Sequence, residues 1–146
     1  MAAIASTEVR ATDNTVYIPL NGTTAAGVAL AAGSYRLWVT DRPTYITSVS
    51  VLRATGAADA TAQTWQAGYL PVTTATSTAL TTTNFGDSAV TDTAVLGFNS
   101  LPIAVSGVTD DVRPLLLTAG NYVGIVATNA ATNAKVLGVQ IKYRCP

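Results

Sequence analysis

The sequence has no histidine, one cysteine and one glutamate, and each scarcity removes a class of chemistry. Without histidine the commonest general base is missing, and so is the commonest transition-metal ligand. A serine or threonine nucleophile would need a lysine or an acid as its base, and no G-x-S-x-G turn is present. The lone Cys145 stands next to the C-terminus, so no intrachain disulfide forms and no imidazole activates the thiol. Paired carboxylates for glycoside chemistry are lacking too, because Glu8 is the only glutamate and Asp110 and Asp111 are chain neighbours. The expectation is a protein that is not an enzyme and needs no cofactor.

Charge is also scarce. Only 11% of the 146 residues are charged, against about 25% in an ordinary soluble domain. Eight cations balance eight anions. A nucleic-acid partner calls for a basic patch or arm, and MAAIASTEVRATDN at the start carries a single arginine. Long apolar runs are missing as well. AAGVALAAG at 25–33 is too short and too glycine-rich to span a bilayer, and no charged-then-apolar leader opens the chain. The expectation is a soluble protein made in a cytoplasm, with no nucleic acid and no membrane among its partners.

The charges that exist are unevenly placed. Between Ala54 and Val112 stand Asp59, Asp87, Asp92, Asp110 and Asp111 with no lysine or arginine. The middle is acidic by five and the flanks together are basic by five. Ordinary surface scatter explains this, and so does complementary charge between neighbouring subunits. Asp87, Asp92, Asp110 and Asp111 match no calcium-loop spacing and read as solvated turn residues, so no metal site is expected.

What is present is a β pattern. Hydrophobic residues make up 49% of a chain long enough to bury roughly 70% of its unfolded surface in one domain. Short β-branched and aromatic runs alternate with Gly, Pro, Asn and Asp punctuation. Strands are expected at TVYIPL (15–20), SYRLWVT (34–40), TYITSVSVLRA (44–54), AQTWQAGYLPV (62–72), AVLGFNS (94–100), PIAVSGV (102–108), NYVGIVATN (121–129) and AKVLGVQIKYR (134–144). The Thr-rich stretch 73–93 fits either a flat edge strand or a long ordered loop. In 44–54 alternation puts Tyr45, Thr47, Val49 and Val51 on the core face, opposite Ile46, Ser48, Ser50 and Leu52. In 134–144 it puts Leu137, Val139, Ile141 and Tyr143 opposite Gly138, Gln140, Lys142 and Arg144. The fold class is all-β, a single-domain β-sandwich or jelly-roll-like barrel of about eight strands spanning 15–146, with 1–14 as an extended N-terminal arm.

One phrase occurs twice. LAAGSY at 30–35 returns as LTAGNY at 117–122. Each reads as a turn that opens a strand. Gly33 or Gly120 takes a positive φ, Leu30 or Leu117 packs back across the turn, and Tyr35 or Tyr122 sets its ring over the core. The two strands are expected to be equivalent in a two-sheet sandwich, with opposite sheets of a jelly roll as one placement open to them. Among the other aromatics, Trp38 falls in phase with Arg36 and Thr40 and opposite Tyr35, Leu37 and Val39, which exposes it or puts it at an interface. Trp65 and Tyr69 share a phase and belong to the core or to a subunit contact. Trp38, Trp65, Tyr69 and Arg36 are the candidate interface residues.

A Thr/Ala/Val-rich chain that opens two strands with L-x-A-G-x-Y and has no His or disulfide resembles the capsid decoration (cement) proteins of tailed bacteriophages. The resemblance covers the general character of the whole chain and specific residues at Leu30–Tyr35 and Leu117–Tyr122. It implies a β-sandwich that binds the outer face of an assembled shell, often as a trimer at local three-fold positions, and stiffens it. Its partners would then be the major capsid protein and copies of itself, and its place the capsid surface of a virion. The phrase is similar to that of trimeric fibre heads too, so a receptor- or carbohydrate-binding head domain stands as the alternative, favoured by an exposed Trp38–Trp65 pair. A self-assembling shell or tail-tube subunit is a third reading. No functional residue is carried over from the resemblance.

Overall fold

The computed structural model describes residues 14–20, 27–54, 59–61, 63–74, 80–81, 90–91, 97–101 and 115–146. These residues form two antiparallel sheets. The strands are β1 (Asn14–Pro19), β2 (Val28–Ala29), β3 (Gly33–Val39), β4 (Thr44–Arg53), β5 (Thr64–Pro71), β6 (Val90–Thr91), β7 (Gly97–Leu101), β8 (Leu115–Leu117), β9 (Asn121–Thr128) and β10 (Lys135–Arg144). One sheet runs β1-β10-β4-β7, with β2 beside β10 and β8 beside β4. The other runs β3-β9-β5-β6. The six-stranded sheet and the four-stranded sheet pack face to face as a β-sandwich. The all-β sandwich read from the sequence is the observed fold.

The core lies between the sheets. Ile46, Val49, Val51, Val139 and Ile141 from the first sheet face Trp65, Ala67, Val123, Ile125 and Ala127 from the second, all buried. β-branched residues dominate because they pack well on a pleated surface. Gln63 is the polar tie at one end. Its amide N–H groups go to the carbonyls of Leu30 (3.1 Å) and Asn129 (2.8 Å), and its carbonyl accepts the Trp65 indole N–H (2.8 Å). Three otherwise costly buried groups are thereby satisfied in one place.

The repeated phrase marks two corners where the chain leaves the first sheet for the second. Residues 30–32 join β2 to β3, and 118–120 join β8 to β9. Leu30 and Leu117 are buried, and Gly33 (φ 151°) and Gly120 (φ 82°) have the positive φ that a corner of this kind needs. The second corner is closed by Thr40, whose backbone N–H donates to the Asn121 carbonyl (2.9 Å) and whose carbonyl accepts the Gly120 N–H (2.7 Å). The placement in opposite sheets is corrected: β3 and β9 are neighbours in one sheet, antiparallel. The tyrosines also differ. Tyr35 pairs with Ile125 and packs on the core, whereas Tyr122 pairs with Leu70 on the outer face.

Three β-bulges decide which side chains face inward. In β3, Arg36 pairs with Gly124 and Trp38 with Val123, leaving Leu37 as an extra residue. In β4, Thr47 is extra between Ile46, opposite Tyr143, and Ser48, opposite Lys142. In β10, Leu137 is extra between Val136 and Gly138. Each extra residue reverses the alternation beyond it. Ile46 and Val136 are therefore core residues, contrary to strict alternation, while Tyr45 and Thr47 are only half-buried. Val49, Val51, Val139 and Ile141 are buried as expected.

The stretch 62–72 becomes β5 with a 3-10 turn at Val72–Thr74. Within 73–93, Thr73, Thr74, Leu80, Thr81 and β6 are described. PIAVSGV at 102–108, the acidic residues Asp87, Asp92, Asp110 and Asp111, and all of the expected arm except Asn14 lie outside the described residues. Asn14 is already the first residue of β1.

Candidate functional site

The four candidate interface residues do not share a surface. Trp65 is 1% exposed and sits in the core. The Leu37 bulge turns Trp38 inward, where its half-buried ring lies 4.7 Å from that of Tyr143. Tyr69 pairs with Val123 in the inward phase and packs against the core. Arg36 alone points outward, with its guanidinium 5.6 Å from the centre of the Tyr122 ring. Both tryptophans of the chain thus face inward, and an exposed Trp38–Trp65 platform for a sugar does not exist.

The outer face of the β3-β9-β5-β6 sheet is partly occupied by its own chain. Gly68 and Gly124 pair directly across β5 and β9 and leave a side-chain-free floor. Leu80 is buried over Gly68, and its N–H donates to Ser34 Oγ (3.0 Å). Thr81 exchanges backbone hydrogen bonds with Tyr69 (2.7 and 3.1 Å). Beside this strap, Ser34–Leu37 border an open depression of about 430 Å³.

The outer face of the β1-β10-β4-β7 sheet has no such strap among the described residues. Tyr17 (43% exposed), Phe98 (50%) and Leu116 (49%) belong to this face, and they are three of the four exposed large hydrophobic side chains among the described residues. The register builds its rows. Pro19, Gly138, Leu52 and Phe98 fall in line across the four strands. Tyr17 lies so close over Gly138 that a Cβ there would sit 2.5 Å from its hydroxyl. The next row is Tyr17, Gln140, Ser50 and Ser100, in which the two serine hydroxyls are 3.4 Å apart. Outward positions along β10 add Lys135, Lys142 and Arg144. No Asp or Glu stands in an outward position of this sheet among the described residues. Sequence reading missed Tyr17 and Phe98, although VYI and GFNSL each alternate a ring against smaller inward residues, while Leu52 lies opposite the core face as alternation predicts.

Acidic groups lie elsewhere. Asp41 forms an exposed pair with Arg42 (3.2 Å), and that hydrogen bond holds its carboxyl below the usual range. Asp59 accepts the backbone N–H groups of Thr132 (2.8 Å), Asn133 (2.6 Å) and Ala134 (3.1 Å). The Asn133 amide is the main cause of its lowered pKa, with smaller help from the other two and from Arg53. No cluster of three metal-ligating side chains occurs among the described residues, and no helix among them is long and apolar enough to cross a membrane. Among the described residues the arrangement offers broad contact surface rather than a cleft with converging reactive groups. Comparison with protein-family models, curated proteins and solved structures finds no match.

Proposed function

We propose that this chain is a structural virion protein that binds the outside of an assembled phage capsid, as an oligomer, and stabilises the shell through many protein–protein contacts. The observation that carries the reading is the open outer face of the β1-β10-β4-β7 sheet. It has exposed rings at one end, an uncharged Ser/Gln middle and cations on one strand, which is contact surface of the kind protein partners use. The strand orders β1-β10-β4-β7 and β3-β9-β5-β6 follow jelly-roll wiring, which supports the reading since that architecture serves in viral capsids, but the same wiring serves in lectins and does not choose between them. Few strongly hydrated groups must be stripped from such a face, so contact costs little desolvation. Many weak copies on a symmetric shell add by avidity.

A fibre or receptor-binding head is the second reading, favoured by the Arg36–Tyr122 pair near the Ser34–Leu37 depression. Gradient sedimentation of a lysate from the native source, with copies per particle counted by mass spectrometry, separates the two. Hundreds of copies travelling with virion-sized particles are expected. A few copies per particle would transfer the assignment to a fibre head, and recovery only at the top of the gradient would overturn the virion reading.

A further inference from the structure

We infer that the outer face of the β1-β10-β4-β7 sheet is the surface that docks on the particle, and that its occupant is a shell surface bearing exposed carboxylates. This rests on the virion reading and specifies the contact it needs. Two features identify the occupant: charge and area.

Among the described residues, the charged side chains in outward positions of this face are Lys135, Lys142 and Arg144, all cations and all on β10. A second copy meeting the face through a two-fold axis would bring like charges together. An anionic partner removes that conflict. Four strands of five to ten residues about 4.8 Å apart present roughly 500 Å². A stable pairwise complex needs about 800 Å² on each side. The face is thus too small to hold one partner tightly by itself and suits an array in which many copies bind one particle. The apolar end supplies the drive. Phe98 and Tyr17 are half-exposed rings flanking Leu52 and have no strap across them among the described residues. The opposite sheet differs, because Leu80 already covers its glycine floor.

The test is redecoration. Particles from the native source are stripped of this protein with urea and mixed with the purified full-length chain, and bound copies are counted after sedimentation at low and high salt. Phe98→Ser and Lys142→Glu alter the face at exposed positions, and Val39→Ser alters the other sheet at a site of similar exposure. Thermal unfolding confirms that each variant folds, and Lys142→Glu decides the matter should Phe98→Ser not fold. Both face variants are expected to need about tenfold more protein for half-occupancy. The Lys142→Glu deficit should shrink at high salt as the charges are screened. Val39→Ser should bind as the wild type does. Wild-type binding matched by both face variants would overturn the docking face and leave the virion reading standing. A wild-type chain that does not redecorate and is absent from virions would overturn the virion reading itself. A purified chain that self-associates and is broken apart by Phe98→Ser or Lys142→Glu would make the occupant a second copy, against the inference.

Discussion

Asp59 shows how one side chain can govern a whole loop. Its two carboxylate oxygens collect the three consecutive amides that lead into β10, so residues 59–61 and the turn before β10 are held by one group. Amide donors favour the charged form, which is why the folded pKa lies below the ordinary 3.8. The sign follows from linkage. A depressed folded pKa contributes stability that is fully present above the unfolded value and is lost as pH falls through the lower folded value. Asp59→Asn keeps an oxygen acceptor but loses the charge. The wild type should therefore unfold at a higher temperature than Asp59→Asn at about pH 6, and the gap should close as the pH drops below about 3.8. Thermal unfolding followed by circular dichroism across that range is the measurement. A gap of constant size throughout would show that the charge contributes nothing.

At the scale of the strand, the bulges carry the information that alternation alone lacks. Val49, Val51, Val139 and Ile141 were legible as core because no bulge separates each pair. Trp38, Ile46 and Val136 were not, because one extra residue in the same strand reverses the phase, and a bulge depends on pairing with another strand. The two L-x-A-G corners were legible because a buried leucine and a positive-φ glycine are local requirements. Which sheet each entered was not, since that depends on strands far away in sequence. Tyr17 and Phe98 escaped notice because rings are read as core by habit, while their smaller alternating neighbours Ile18 and Leu101 point inward. The β3 bulge also creates a testable close approach. A Cβ on Gly124 would run into the backbone carbonyl oxygen of Tyr35, whereas one on Gly120 would meet nothing within 4 Å and would suffer only from φ 82°. Gly124→Ala should cost about 3 kcal/mol as the backbones separate. Gly120→Ala should cost roughly 1–2 kcal/mol for its left-handed conformation. Urea unfolding of the two variants checks the order, and equal losses would mean that the bulge can relax away from the new methyl group.

Across the whole molecule, the last strand closes the first. β10 pairs with β1, β2 and β4, so residues near position 14 meet residues near position 143. β10 is the only strand with which β1 and β2 pair among the described residues, and Val136, Val139 and Ile141 are wholly buried. Burying three such side chains contributes about 5–9 kcal/mol, comparable to the entire stability of a typical domain at about 5–15 kcal/mol. Such long-range pairing also makes folding slow, because distant segments must meet before any contact rewards them. A chain ending at Ala134 should therefore show no cooperative thermal transition and no near-ultraviolet dichroism from its packed tryptophans. A chain ending at Arg144 loses only the exposed Cys145 and Pro146 and should unfold as the full-length protein does. Because β10 also carries Lys135, Lys142 and Arg144, the cationic part of the docking face comes into being with the strand that completes the core. A cooperative transition in the chain ending at Ala134 would separate the two, and would show that the remaining strands build a stable sandwich without their central member.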